Sequence, residues 1–292
     1  MKRKEFIEHV GWTGAGIAWT LSAAGTLTAA ADALGSGLTF IQISDSHIGF
    51  RRPENPDVIG TLRKTVDAIN RRAVQPAFVV HTGDITHLSK AEQFDTAKTM
   101  LSELRAPVLY LPGEHDVIGS PAEYFTFFSR ADAKDGWFSF DQGGAHFVAL
   151  VNVFNFERMG LMGQQQLDWL AKDLGAQKQS TPIVVFAHVP LYALYPQWGW
   201  TTEDGSKALA LLRRFDRVTV LSGHIHQIIE HTEGNIRFAT ANSTAYPQPK
   251  PGTAAKPGPL LVPPDRLLGV IGYRTVQLDD RGGSALSDIT LG

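Results

Sequence analysis

Carboxylate and imidazole side chains recur along the chain, each time directly after a short apolar run. The first apolar run, residues 38–43, ends in Asp45-Ser46-His47, and four later runs end in the same kinds of residue. Such groups bind divalent metal ions and transfer protons near neutral pH. Because the chain contains no cysteine, oxygen and imidazole nitrogen are the available metal ligands. The residues concerned are Asp45, His47, Asp84, Glu114, His115, Asp116, His188, His224 and His226.

The apolar runs that precede these residues are rich in β-branched and aromatic residues, which is typical of buried strands. In an α/β sheet, ligands bind outside the carboxyl ends of the strands. We therefore expect five strands to bring their terminal side chains into one site.

Composition limits the classes of protein that need to be considered. The chain has 292 residues, of which 43% are hydrophobic and 19% charged, so it can form one large α/β domain. Its formal net charge is only −2, which gives no basic surface for a nucleic-acid polymer or an acidic membrane. A small substrate is the expected partner.

The periodicity of apolar residues predicts alternating strands and helices after residue 36. Polar residues separate 137–141 from 146–153, which predicts an antiparallel hairpin. Ser89 and Glu92 have the spacing of a capping box. Residues 246–268 are rich in proline and lack any period, which predicts a surface excursion. Helices are predicted at 57–72, 89–104, 121–130, 163–174 and 207–215, and strands at 38–43, 77–81, 107–111, 182–187, 217–221, 236–241 and 273–278.

Residues 1–35 have the parts of a secretory signal: Lys2-Arg3-Lys4, a mildly apolar segment and a run of small residues. Arg3-Lys4 resembles a twin-arginine signal with lysine in place of the second arginine. We expect export to the periplasm, with an uncleaved membrane tether as the alternative. The remaining domain is expected to span 36–292.

Taken together, the strand-end motifs resemble those of the calcineurin-like metallophosphoesterase family. That family has Asp-x-His, Gly-Asp, Gly-Asn-His-Asp or Glu, a lone His and Gly-His-x-His, and this chain has their counterparts in the same order from about residue 38 to 245. The resemblance implies an αββα four-layer fold, in which a two-sheet β-sandwich is flanked by helices. It also implies hydrolysis of a phosphate ester by metal-bound hydroxide, with manganese or iron as the two metals and zinc as a further candidate.

The resemblance also implies a role for each motif residue. Asp84 would bridge the two metals, and His115 would act on the leaving group while Asp116 orients its ring. The first metal would take Asp45, His47 and His226, and the second Glu114, His188 and His224. Taken singly, each residue has an ordinary structural explanation, such as a turn aspartate or a hydrogen-bonded core histidine. We expect structural roles for His9, His81, His87, His146 and His231, with His87 also a candidate for the rim of the site.

Glu114 departs from the family pattern, which has asparagine at this position. Two divalent ions with Asp45, Asp84 and a bridging hydroxide leave a formal charge of about +1, and an ionised Glu114 reduces it to about zero. This change favours a trivalent ion such as iron(III) or a monoanionic phosphodiester substrate. A third alternative is a metal-binding remnant without turnover.

Substrate specificity has weaker signals in the sequence. Tyr195, Trp198 and Trp200 follow His188 closely and are candidates for a wall that stacks on a nucleobase or sugar; packing against the proline-rich segment is the alternative. We expect a small phosphodiester, with cyclic nucleotides among the candidates, and a phosphomonoester as the second choice.

Overall fold

The computed structural model describes residues 18–21, 27–30, 37–153, 159–279 and 282–292. The first two ranges form an antiparallel pair, β1 (Ala18–Leu21) and β2 (Leu27–Ala30). The predicted export signal lies largely outside the described residues and stays a prediction. None of the helices in the described ranges has the length and hydropathy needed to cross a membrane.

The main body of the protein contains a five-stranded and a six-stranded sheet. In the five-stranded sheet the order is β13-β12-β3-β4-β5, and β3, β4 and β5 are parallel. In the six-stranded sheet the order is β10-β11-β9-β8-β7-β6, and β7, β8, β9 and β11 are parallel. The strands are β3 (Thr39–Ile43), β4 (Val79–His81), β5 (Val108–Tyr110), β6 (Phe138–Gln142), β7 (Ala145–Ala149), β8 (Ile183–Ala187), β9 (Val218–Ser222), β10 (Ile229–Glu233), β11 (Ile236–Thr240), β12 (Gly272–Leu278) and β13 (Ser284–Thr290).

The two sheets pack face to face through aromatic side chains. Phe40 stacks on Phe78 in one sheet, with ring centroids 4.8 Å apart, and contacts Phe147 and Phe186 of the other sheet edge to face. These four rings are fully buried. Aromatic pairs in such offset and edge-to-face arrangements stabilise a core beyond the effect of their buried area.

Helices cover the outer face of each sheet. Three helices pack on the five-stranded sheet, where Leu62 and Phe94 join the same apolar cluster as Ile41. Two helices pack on the six-stranded sheet, where Leu170 and Leu212 join Val185. The helices are α1 (Val58–Asn70), α2 (Ala91–Leu101), α3 (Ala122–Phe128), α4 (Gln164–Gly175) and α5 (Gly205–Leu212).

This arrangement confirms the predicted four-layer αββα fold. The predicted helices and the hairpin β6–β7 are present, whereas β10 and β13 were not predicted. The capping prediction was wrong, since α2 begins after Lys90 without a side-chain cap. Ser89 instead donates from Oγ to the carbonyl of His115 at 2.8 Å and accepts from the backbone N–H of Ile118 at 2.9 Å.

Candidate metal centre

The loops after β3, β4, β8 and β9 are held together by hydrogen bonds between their backbones. The N–H groups of Asp45 and His47 donate to the carbonyls of Gly83 and Asp84, both at 2.9 Å. In the other sheet, the N–H of Gly223 donates to the carbonyl of His188 at 3.0 Å. The backbone N–H of His224 lies 3.2 Å from both carboxylate oxygens of Asp45, which joins the loops of the two sheets.

Five of the predicted site residues have a left-handed backbone conformation. Their φ angles lie between 43° and 69°, a region that residues other than glycine seldom occupy. Such strain persists where surrounding contacts over-determine the backbone, which occurs mainly at functional sites. The residues are Asp45, His47, Asp84, His224 and His226.

Glycine is required where the Gly113 loop approaches Asp84. A Cβ atom at Gly113 would lie 2.1 Å from Oδ1 of Asp84 and 2.3 Å from its backbone nitrogen. This approach allows the N–H of His115 to donate to Oδ1 of Asp84 at 2.9 Å. The glycine before the predicted ligand at position 114 therefore has a steric explanation.

The structure brings the side chains of the predicted ligands together in two groups. Asp45, His47 and His226 form one group, and Glu114, His188 and His224 form the other; within each group the potential ligand atoms lie within 4.8 Å of one another. All six residues are buried.

Asp84 lies between these two groups. Its Oδ2 atom is 3.5 Å from Nε2 of His47 in the first group and 3.5 Å from Nε2 of His188 in the second. A carboxylate in this position can be shared between two metal ions.

The second group contains buried polar atoms without hydrogen-bond partners. Oε2 of Glu114 is 2.8 Å from Nε2 of His188, and Oε1 of Glu114 is 2.9 Å from Nδ1 of His224. Nevertheless, Oε2 of Glu114 and both imidazole nitrogens lack a partner with hydrogen-bond geometry. Buried polar atoms without partners are rare, and a bound ion is one of the arrangements that explain them. The carboxylate and imidazoles of this group therefore fit a cation.

The other ring nitrogens of two predicted ligands contact backbone carbonyls. Nδ1 of His188 lies 2.7 Å from the carbonyl oxygen of Thr82, and Nδ1 of His226 lies 2.7 Å from that of Tyr246. Metal-binding histidines usually donate their second N–H in this way, which fixes the tautomer and the ring orientation.

Glu114 and the imidazoles of the second group shift one another's pKa values. Burial alone would raise the pKa of Glu114, but the imidazoles of His224 and His188 hold it well below its usual value. Burial alone would lower the pKa of His188, but Asp84 and Glu114 raise it well above its usual value. The carboxylates of this group therefore favour a positive counter-charge, which a bound metal ion would supply.

The structure corrects the predicted partner of His115. Nδ1 of His115 lies 2.7 Å from the carbonyl oxygen of His87, rather than against the Asp116 carboxylate. The carboxylate of Asp116 accepts hydrogen bonds from the N–H groups of Ile85, Thr86 and Gly113, at 2.7–2.9 Å. Asp116 therefore fixes the loops that carry Asp84 and Glu114, and the prediction that it orients the His115 ring was wrong.

The structure also corrects part of the predicted aromatic wall. Trp200 is only 1% exposed, so it cannot stack on a substrate. Trp198 packs edge to face between Trp200 and Tyr195, with centroid distances of 4.9 and 5.1 Å. A substrate role for Tyr195 and Trp198 stays a prediction.

Sequence reasoning missed the contribution of Tyr246, the first residue of the proline-rich segment. Its ring stacks on His47 with a centroid distance of 4.9 Å and packs against Phe50 and His226. The segment is therefore anchored at the metal centre by its first residue, while residues 252–256 are exposed. The sequence offers no signal for this contact apart from an aromatic residue near the last histidine motif.

Comparison with known proteins agrees with these motifs. Residues 38–228 match the model of the calcineurin-like phosphoesterase family. A probable cyclic nucleotide phosphodiesterase of Rhodococcus erythropolis is 24% identical, over 71% of this chain and 71% of its own length. Glycerophosphodiester phosphodiesterase GpdQ of Enterobacter lignolyticus is 24% identical over 77% and 84%, and serine/threonine-protein phosphatase CPPED1 of Danio rerio is 27% identical over 64% and 70%.

Solved structures show the same fold. A dimetal phosphatase from Danio rerio matches with a TM-score of 0.65 and 15% identity, over 88% of this chain and all of that chain. The purple acid phosphatase PPD1 from yellow lupin matches with a TM-score of 0.64 and 13% identity, over 94% of this chain and 57% of its own. Since the family model matches well over half of the chain, this protein belongs to the calcineurin-like phosphoesterase family and is a metal-dependent phosphoesterase.

Proposed function

We propose that the protein hydrolyses small phosphodiesters with two metal ions held on either side of Asp84. The observation that carries this proposal is the pair of three-residue ligand groups that converge on Oδ2 of Asp84. When bound, two such ions would polarise the phosphoryl oxygens and lower the pKa of bound water. Asp45, His47 and His226 would hold the first ion, and Glu114, His188 and His224 the second.

His115 is the residue suited to act on the leaving group. Its backbone N–H is fixed by Asp84 at 2.9 Å, and its Nδ1 is fixed by the His87 carbonyl at 2.7 Å. Because Nδ1 donates to a carbonyl, it keeps its proton, and Nε2 is the nitrogen that exchanges a proton with the substrate. A protonated Nε2 can donate to the departing alkoxide, as in general acid catalysis.

Glu114 is the reason to propose a diester rather than a monoester. The carboxylate lies in the second ligand group at 7% exposure, so its charge opposes a second negative charge on the substrate. Two of the relatives are named as phosphodiesterases, for cyclic nucleotides and for glycerophosphodiesters, which supports the same choice. A phosphomonoester is the second candidate, because another relative is named as a protein phosphatase.

Manganese or iron are the proposed metals. A ligand set of carboxylates and imidazoles without thiolates suits borderline and hard ions. Iron(III) in one position would restore the positive charge that Glu114 removes. Metal analysis of the protein as isolated, together with its absorption spectrum, tests this choice; zinc alone at two equivalents would contradict it.

The deciding experiment measures turnover of a chromogenic phosphodiester and of the matching monoester by the full chain. Assays contain manganese, iron(II) or no added metal, and Asp84→Asn serves as the control variant. We expect metal-dependent diester hydrolysis that exceeds monoester hydrolysis and is lost in the control. Faster monoester hydrolysis would favour the second candidate. No turnover of either ester with two metals bound would refute both and indicate loss of activity through Glu114.

A further inference from the structure

His87 contacts the leaving-group histidine in two ways. The two imidazole rings are stacked, with centroids 4.7 Å apart and an angle of 15° between their planes. In addition, the backbone carbonyl of His87 accepts from Nδ1 of His115 at 2.7 Å. The stack and the hydrogen bond together fix both the tilt and the rotation of the His115 ring.

His87 also contacts a predicted ligand of the first metal. Nδ1 of His87 lies 3.3 Å from Nδ1 of His47. Nε2 of His47 faces the metal centre, since it lies 3.5 Å from Oδ2 of Asp84 and 3.2 Å from Nε2 of His226. For His47 to bind metal through Nε2, Nδ1 must carry its proton and donate to Nδ1 of His87.

His47 is therefore unlike His188 and His226, whose Nδ1 atoms contact backbone carbonyls. Its partner is a side chain, and this side chain also supports His115. His87 thus contacts both His47, a predicted ligand of the first metal, and His115, the residue proposed to act on the leaving group. Phe50 holds the His87 ring from another side, edge to face at 5.2 Å.

We propose that His87 is a positioning residue that couples the first metal to the leaving-group histidine. This inference rests on the proposed function, since it assigns His87 a role in the same reaction. His87 fixes the tautomer of His47 through its Nδ1 atom, and it fixes the orientation of His115 through its ring. In this role His87 acts through His47 and His115, which it contacts directly.

Two substitutions separate these roles. His87→Phe keeps an aromatic ring next to His115 but removes the acceptor for His47. His87→Asn keeps a polar acceptor near the position of Nδ1 but removes the ring. Both variants retain the backbone carbonyl of residue 87, so both can keep the hydrogen bond that it accepts from Nδ1 of His115. His231→Phe is the matched control, because His231 is an exposed histidine that stacks on Tyr192.

The first readout is metal affinity, measured by titration of the metal-free protein with manganese. Loss of a hydrogen-bond partner of a metal ligand typically weakens metal binding about 10- to 100-fold. We expect a loss of this order in His87→Phe and affinity near that of the wild type in His87→Asn. Equal affinity in wild type and His87→Phe would overturn the part of the proposal that concerns His47.

The second readout is the dependence of kcat on the leaving group, measured with metal at saturation. Poor leaving groups need the proton from His115, whereas a nitrophenolate does not. In His87→Asn we expect kcat for an alkyl or phenyl diester to fall about 10- to 100-fold, while the nitrophenyl diester changes little. This loss is smaller than the roughly 100- to 10,000-fold contribution of a general acid, because His115 itself is retained. In a His115→Asn background the same substitution should have no further effect.

Several outcomes would overturn the proposal. Equal losses for good and poor leaving groups in His87→Asn would indicate general damage to the structure. Three metal equivalents in the wild type, falling to two in His87→Phe, would make His87 a ligand, since His47, His87 and His115 also lie within ligand distance of one another. An inactive wild type would instead refute the proposed function, so the two failures are distinguishable.

Discussion

Replacing Glu114 tests whether charge at the second metal position selects the substrate. Glu114 is 7% exposed, and one of its carboxylate oxygens lies within 4.8 Å of a potential ligand atom of Asp84 and of His115. For a phosphate that contacts His115, a separation of about 6 Å from the Glu114 carboxylate corresponds to this spacing plus part of one hydrogen-bond length. At this distance and an effective dielectric constant of about 20, one unit charge contributes about 3 kcal/mol.

The two substrate classes differ by about one negative charge, so removal of the Glu114 charge should act more strongly on the monoester. At about 1.4 kcal/mol per factor of ten, the upper limit is about 100-fold, and water in the open site reduces it. In Glu114→Gln we expect kcat/KM for the monoester, relative to the diester, to rise about 10- to 100-fold. Glu114→Asn should give a similar shift with the side-chain length of the family pattern.

The assay compares matched nitrophenyl monoester and diester at saturating manganese, with bound metal measured for each variant. Glu114→Asp is the control, because it retains the charge while shortening the side chain. The electrostatic reasoning would be refuted if Glu114→Gln retained two metals and left the ratio of the two kcat/KM values unchanged. A shift of the same size in Glu114→Asp would also refute it, since geometry would then explain the change.

Three further predictions concern stability and assembly of the site. Gly113→Ala should abolish metal binding, because its Cβ would lie 2.3 Å from the backbone nitrogen of Asp84 in the neighbouring loop. Gly175→Ala is the control, because a Cβ there meets no atom within 4 Å. Metal retained in Gly113→Ala, measured by elemental analysis, would contradict this prediction. Chelation should lower the free energy of unfolding by about 3 kcal/mol per site saturated at 100 times Kd, and an unchanged thermal midpoint would contradict it. Burial lowers the pKa of His146, but hydrogen bonds and charges from Asp173 and Asp141 raise it overall. The contribution of His146 to the stability of the folded protein is therefore complete below the unfolded pKa of about 6.5, and it is lost as pH rises through the folded pKa. Denaturant unfolding should therefore show His146→Gln to be more destabilising at about pH 6 than at about pH 9, and equal effects would contradict the sign.

The strands that end in site residues were predictable because each is a short apolar run followed by a polar turn. The strand β10 was missed because it lies at a sheet edge and is solvated on both faces; the exposed Glu230 and His231 lie next to each other in it. The other edge strand, β13, alternates in burial, but polar Ser284 and Asp288 occupy two of its less exposed positions, which hides the pattern in the sequence. An edge strand that is solvated on both faces lacks the alternation on which sequence prediction depends. The missed strands do not contribute ligands to the site.

Aromatic and hydroxyl side chains near the site were harder to interpret than the ligands. Trp198 and Trp200 are two residues apart, yet one is partly exposed and the other buried. Ser89 has the spacing of a capping residue but hydrogen-bonds to the His115 loop instead. In both cases a tertiary contact overrides the local pattern, and the sequence does not contain the position of the contacting loop.

The family motifs specify which side chains reach the metals, but the atoms that orient those side chains are mostly backbone carbonyls. The carbonyls of Thr82, His87 and Tyr246 hold His188, His115 and His226, respectively. Any residue supplies a carbonyl, so no motif records these partners, and only the fold places them. His47 is the exception, because a side chain holds its Nδ1. A histidine three residues after the Gly-Asp motif is therefore a sequence feature with a structural reason, and a substitution can remove its contact with His47 while the backbone carbonyls stay in place.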